Sequence, residues 1–376
     1  MVRFKRFLAA ALLLWLVIST STLAESNGTT ADRERFLYVA SPGVRNYVEW
    51  GGHGVLVYDI DDGHRFVKRI SLDGYGVDEK GNVLNVKGVC ASAAADRLYV
   101  STLRHLICID LVTDDVLWQK SFDLGCDRMS ISPDGNVIYL PSLEHDAWYV
   151  LDAATGDEIK RLLPKSRAHN TVYGLDGKWV YLAGLGSPLL SVAATEDHSI
   201  ERTVGPFSEA IRPFTVNRAQ TLVFANVNGL LGFEIGDLET NEVIHRVEVQ
   251  GFPLGPPKRH GCPSHGIALT PDEREIWLCD AFNGRLHVFD ATTMPPQQGD
   301  SIALREQPGW ITFSLDGSLG YPSTGEVIDA RSRKIVATLS DEEGRPVHSE
   351  KMLEIDFLDG KPIQNGDQFG LGRRFP

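Results

Sequence analysis

One phrase recurs along this chain and constrains its fold more than any other feature. An apolar strand runs into a turn containing Asp-Gly or a relative of it, and a second apolar strand follows. It reads Met129-Ser-Ile-Ser-Pro-Asp134-Gly135-Asn-Val-Ile-Tyr139-Leu, then Val172-Tyr-Gly-Leu-Asp176-Gly177-Lys-Trp-Val-Tyr181-Leu. It returns as Ile267-Ala-Leu-Thr-Pro-Asp272 before Ile276-Trp277-Leu278, and as Ile311-Thr-Phe-Ser-Leu-Asp316-Gly317 before Tyr321. Weaker copies surround Asp96, Arg218 and Asp359. Successive turn positions (96, 134, 176, 218, 272, 316 and 359) are separated by 38, 42, 42, 54, 44 and 43 residues.

A second phrase interleaves with the first: an apolar strand ending in Asp, then a short polar turn. Asp59, Asp110, Asp152, Asp237, Asp290 and Asp329 occupy this place. An Asp there can bond backbone N–H groups two residues on and so close the turn. Alternation of period two holds within most strands, and no 3.6-residue stripe competes with it. Four short strands per roughly 42 residues, repeated, are the pattern of propeller blades.

The chain is therefore expected to be all-β, a seven-bladed β-propeller of four-stranded antiparallel blades. One blade cannot bury both of its faces alone, so the ring must close. Arg35-Phe-Leu-Tyr-Val-Ala40 resembles a second strand that lacks a first, and Lys351–Leu358 a first strand that lacks followers. Pairing the C-terminal strand into the N-terminal blade closes the ring. A single domain then spans 35–360, with an extended C-terminal tail over 361–376.

The N-terminus carries the order of a secretory signal peptide over 1–24. Arg3, Lys5 and Arg6 precede the apolar run Phe7–Ile18, and small residues end at Ala24. That run is short of the roughly 20 residues a membrane span needs. Cleavage leaves a flexible stretch over 25–34 and a secreted or periplasmic protein with no membrane span. Five cysteines are few and odd in number for an oxidising compartment. Cys90, Cys108 and Cys279 sit in apolar strands. Cys126 and Cys262 fall in loops, and whether they pair stays open. Lys and Arg total 37 against 50 Asp and Glu, a net of −13. That balance argues against nucleic acid as a partner, which needs a basic footprint.

The run Ser132-Pro-Asp-Gly135 with its Ile138-Tyr139 strand, followed by Leu151-Asp-Ala-Ala-Thr-Gly156, resembles the YVTN-type propeller repeat. That repeat belongs with the quinoprotein amine dehydrogenase-like and WD-repeat-like propellers. The resemblance spans nearly the whole chain and implies fold. It leaves function open, because such propellers include scaffolds, binding modules and enzymes. No residues here match a quinone-forming or haem-binding sequence, and no nucleotide or flavin motif occurs.

Propellers bind ligands where their inner strands converge. The positions six to eight residues ahead of each turn are Asp127, Arg128, His169, Asn170, Arg212, Ser264, His265 and Trp310, and the closing strand adds Glu350 and Lys351. Their shared register sets them around one mouth of a channel expected to be wide enough for water and ions. His260 and His348 lie in adjoining connectors. His169 and His265, with Asp127 or Glu350, have the N/O chemistry of a divalent metal site. They can equally do no more than bond neighbouring backbone. Arg128 and Arg212 offer guanidinium forks for a carboxylate or phosphate, or ion-pair partners for Asp127 or Glu350.

Two loops stand out. Gln250–Pro263 accounts for the 54-residue spacing and carries Lys258, Arg259 and His260. Gly43–Gly54 holds Tyr47, Trp50 and His53, aromatics able to stack on a sugar. Two functional readings follow. One is a binding module for a small-molecule, glycan or protein ligand, with Asp127, Arg128, His169, Asn170, Arg212, His260, His265, Trp310, Glu350 and Lys351 as binding candidates. The other is a channel-mouth enzyme, a lyase or a lactonase-type hydrolase on an acidic sugar or lactone. Its catalytic candidates are His169, His265 and Arg212, with a divalent metal as the conceivable cofactor.

Overall fold

The computed structural model describes Met1 and residues 33–371. Apart from Met1, the expected leader lies outside the described residues. Arg33 and Glu34, expected to be flexible, already belong to the first strand, Arg33–Ser41. Among the described residues the only helical element is a 3-10 turn over Ala93–Ala95, and no helix is long and apolar enough to cross a membrane.

The two recurrent phrases are the two kinds of hairpin. In blade three, Ser132 Oγ accepts the N–H groups of Asn136 and Val137 and donates to Asp134 Oδ1. Gly135 supplies the positive φ of 76° that the turn demands. Thr270 with Asp272 and Ser314 with Asp316 repeat this device. In the second phrase Asp59, Asp110, Asp152, Asp237, Asp290 and Asp329 each accept backbone N–H groups two or three residues ahead. These turns are local, and so they were legible in the sequence.

The strands form seven antiparallel sheets, six of four strands and one of five. The first strands of neighbouring blades touch around a complete circuit. Those inner strands are Val86–Ser92, Ser130–Ile131, Ala168–Tyr173, Ile211–Val216, Ser264–Leu269, Ile311–Phe313 and Met352–Leu358. Seven hydrophobic clusters lie between the blades, one per neighbouring pair. Val172 and Tyr181 meet Phe214 and Val223 between blades four and five. Leu37 and Tyr58 meet Tyr321 and Val327 between blades one and seven. Burying a large apolar side chain is worth about 1.5–3 kcal/mol. Each blade is thus held by both neighbours, and the ring closes because an open end would expose one such face.

Blade one joins the two ends of the chain as expected. Arg33–Ser41 pairs with Met352–Leu358, setting Tyr38 opposite Leu353 and Phe36 opposite Ile355. Ion pairs reinforce the seam: Arg33 to Asp356 at 2.7 Å and Arg35 to Glu354 at 2.8 Å.

The C-terminal segment does more than extend along a face. Lys361–Asn365 forms a fifth strand beyond the inner strand of blade one. Gly366–Leu371 then crosses the ring. The Gln368 amide accepts from Val89 N and donates to Met129 O. The Gly370 carbonyl accepts from Leu269 N and Thr215 Oγ1. Trp310 Nε1 donates to the Gln368 carbonyl, and Phe369 is 2% exposed within the core. One end of the channel is therefore filled by the chain itself. All five cysteines are buried free thiols, and Cys126 and Cys262 do not pair.

Candidate ligand pocket at the channel mouth

At the opposite end, the residues that open the inner strands converge on a pocket of about 110 Å³. Blades two to six contribute Lys87, Arg128, His169, Arg212 and His265, and the closing strand contributes Glu350 and Lys351. The connectors add Arg45 and His260. Five cations thus face the pocket, with Glu350 and Glu144 as its carboxylates. The concentration of positive charge contrasts with a chain whose net charge is −13.

The wide, hydrated channel expected from seven blades is not what the structure contains. Asp127, Arg128, Glu350 and Lys351 are each at most 4% exposed. Blade packing and the crossing tail leave no open bore there, so these groups have lost water and must satisfy one another.

Glu350 is the hub. Its Oε2 takes a hydrogen bond from Arg128 Nη2 and one from Lys351 Nζ at 2.9 Å. Burial alone would raise this carboxyl, but Lys351, His260 and Arg128 outweigh it and hold it well below the usual range. Burial pushes the Lys351 ammonium down to about 7, with Glu350 opposing. Lys351 also donates to the Gly43 carbonyl at 2.8 Å, tying the hub to blade one. The Arg128 guanidinium lies 4.1 Å over the Trp310 ring. Glu350 Oε1 has no hydrogen-bond partner, although His260 Nε2 lies 3.2 Å away.

A second ionic group sits across the pocket. Asp127 is fully buried, and its Oδ2 lies 2.7 Å from His169 Nδ1. Lys87 Nζ approaches its other oxygen at 3.4 Å. Against the upward push of burial, Lys87 and His169 bring the Asp127 carboxyl down to about 2. A carboxylate can only accept, so His169 carries its proton on Nδ1 and keeps Nε2 as a base. Burial lowers the His169 pKa despite Asp127, so that base stays neutral.

The insertion Gln250–Pro263 delivers His260 to the pocket, stacked on His265 with centroids 4.5 Å apart. His265 Nδ1 lies 2.8 Å from the Gly309 carbonyl and therefore donates to it. Burial holds His260 down to about 4 and His265 well below its ordinary value. The loop Gly43–Gly54 meets the insertion at the rim. Arg45 donates to the Arg259 carbonyl at 2.5 Å, and the Arg259 guanidinium lies 4.8 Å over Trp50. Trp50 also stacks on His348 at 4.4 Å. The loop aromatics therefore face protein partners, and Tyr47 alone of the three is appreciably exposed, at 36%.

Of the residues singled out in the sequence, Arg128, His169, Arg212, His260, His265, Glu350 and Lys351 line the pocket. Asp127, Asn170 and Trp310 do not; they are buried beneath it. Alternation is the reason for Asn170, whose neighbour His169 takes the pocket-facing place. Trp310 turns toward the C-terminal segment instead. The expected metal pair is His169 and His265. Their ring centroids are 6.4 Å apart with His169 Nδ1 bonded to Asp127 and Nε2 free, and His260, His265 and Glu350 form a tighter group, with one ligand atom each within 4.8 Å of one another. Sequence reasoning missed Lys87 and Arg45. Lys87 occupies the ring register, but the 3-10 turn Ala93–Ala95 lengthens blade two and sets it nine residues ahead of Asp96. Arg45 reaches the pocket from a loop with no register to read.

No protein-family model matches the chain, and no curated protein does. Among solved structures it is similar to Kuenenia stuttgartiensis hydrazine synthase, at 13% identity and a TM-score of 0.46, over 68% of this chain and 96% of that one.

Proposed function

We propose that this chain is an exported binding module whose mouth pocket takes a small anionic molecule through its carboxylate or phosphate oxygens. The observation that carries this reading is the set Arg45, Lys87, Arg128, Arg212 and Lys351 around one small pocket. Arg128 and Lys351 have their charge offset at close range by Glu350 and Lys87 by Asp127 at 3.4 Å, whereas Arg45 and Arg212 face no carboxylate in ion-pair range among the described residues. Arg212 spends Nε on Asn228 Oδ1 at 2.6 Å, a neutral partner that aims its fork without neutralising it. A volume of about 110 Å³ suits a group of a few heavy atoms, such as the acidic end of a larger ligand. Apart from Met1, the export signal rests on residues outside those described.

The test is calorimetric titration of the mature protein with inorganic phosphate, mono- and dicarboxylates, a hexuronate and its neutral hexose. Anions are expected to bind and the neutral sugar not to. Arg212→Ala should weaken the anions about tenfold, as loss of a charged hydrogen bond does. Binding of the neutral sugar alone, unaffected by Arg212→Ala, would overturn the reading.

A second reading has its own observation. The His169–Asp127 pair at 2.7 Å is a base held by its orienting carboxylate, with the free ring nitrogen at the pocket. It supports a lyase or lactonase acting on the same anion. Lactone turnover that disappears in His169→Ala while unfolding is unchanged would make the module an enzyme.

A further inference from the structure

Three side chains in the pocket have polar atoms left over after every hydrogen bond is counted. Glu350 gives Oε2 to Arg128 and Lys351, and its Oε1 is buried without a hydrogen bond. His260 Nε2 is likewise buried and unbonded, 3.2 Å from that oxygen. The His260 side chain is only 8% exposed and that of Glu350 5%. Leaving two such atoms unsatisfied is costly unless something occupies the space between them. His265 donates through Nδ1 to the Gly309 carbonyl, which leaves Nε2 as its lone-pair nitrogen. That outer bond is the device by which proteins fix the tautomer of a metal-ligating histidine.

We propose that His260, His265 and Glu350 form a divalent metal site, suited to zinc or to cobalt in its place, with a fourth position open to the pocket. One ligand atom from each residue lies within 4.8 Å of the others. Two ligands on a tetrahedral zinc with arms of about 2.0–2.1 Å stand roughly 3.3 Å apart, and His260 Nε2 stands 3.2 Å from Glu350 Oε1. The space between them is kept by a glycine. A Cβ on residue 309 would fall 2.1 Å from His260 Nε2 and 2.5 Å from Glu350 Oε1. Gly309 has no positive φ to explain its identity, so room beside the ligands is what requires it. The positive charge of Arg128 and Lys351 beside the site calls for an anion as fourth ligand. The site itself stands without the anion reading, because the metal alone is its probe.

The experiment uses the mature protein, stripped with a chelator and titrated with cobalt(II) and then zinc. One equivalent of cobalt with the visible absorption of tetrahedral coordination is expected, displaced by zinc. His260→Gln and His265→Gln should each lower affinity at least about tenfold. Gly309→Ala should abolish binding by filling the gap, with thermal unfolding recorded alongside. His145→Gln, at an exposed histidine, should bind as wild type. No stoichiometric cobalt in the wild-type protein would overturn the site. So would binding that survives both His260→Gln and Gly309→Ala.

Discussion

The two ends of the channel solve the same problem by opposite means. Seven inner strands converge at each end, and neither end is left open to water. At one end the chain fills the space with itself: Gln368 and Phe369 are 1% and 2% exposed, and Gly366–Leu371 bonds to six blades. Its interactions are apolar packing and hydrogen bonds, mostly between backbone groups and the side chains of Gln368, Thr215, Trp310 and Thr312, satisfied within the fold. At the other end side chains from six blades meet instead, and they are ionic. Asp127, Arg128, Glu350 and Lys351 are buried, yet Glu350 Oε1, His260 Nε2 and Arg128 Nε have no hydrogen-bond partner. A filled end with its polar groups satisfied is a stabilising plug. A polar end with unsatisfied atoms is arranged for something that is not the chain.

Four perturbations test that contrast, and the largest falls on the ionic end. Glu350→Gln leaves Arg128 and Lys351 buried without their countercharge. A loss of about 3–5 kcal/mol is expected, read from denaturant unfolding, together with loss of anion binding. A variant as stable as wild type would mean that the hub is not buried in solution. Phe369→Ala should cost about 3 kcal/mol through the cavity it opens while leaving anion affinity within twofold. Lost affinity there would show that the two ends are coupled rather than independent.

Arg212→Ala reverses that pattern. Its guanidinium is only partly buried and its hydrogen-bond partners, Asn228 and the Gly261 carbonyl, are neutral, so stability should change by less than about 1 kcal/mol. Anion affinity should fall about tenfold. Equal losses in both quantities would make Arg212 structural.

The smallest effect is a pH dependence that separates the mouth from the plug; burial also holds His64 down to about 4, but it precedes the outer strand Arg65–Ile70 and lines neither. Burial holds His260 and His348 down to about 4, whereas an unfolded chain protonates them near 6.5. Between those values the unfolded state binds more protons, so their contribution is complete above 6.5 and is lost as pH falls toward 4. Among the described residues that line the plug (Val89–Ala94, Met129–Pro133, Tyr173, Leu175, Ile363–Phe369 and Leu371) there is no histidine. Amide exchange on acidification, corrected for intrinsic rate, should therefore rise first in Gly43–Gly54 and Gln250–Pro263, before Lys361–Leu371. Simultaneous loss at both ends would place the sensitivity in the whole ring.

The blades were legible because their signals are local. Ser132, Asp134 and Gly135 build a turn with atoms a few residues apart, and the same holds at Thr270 and Ser314. The mouth was legible in part, because register before a turn fixes height along the channel. Register does not say which of two neighbours faces the pocket, and so Asn170 and Trp310 were included while Lys87 was not. Nor does it choose among long-range pairings. Arg128 meets Glu350 from 222 residues away, a pairing that shared register allowed but could not prefer over Asp127 or a ligand.

The sequence by itself determined the seven blades, their closure through both chain ends and the polar character of the residues that open the inner strands. Each depends on turn chemistry and period-two alternation, which act over a few residues. Only the tertiary structure decided that Gly366–Leu371 enters the ring, that the mouth is dehydrated, and that His260 rather than His169 joins His265 and Glu350. Those outcomes depend on which side chains meet once the ring has closed, and burial then sets whether each carries charge.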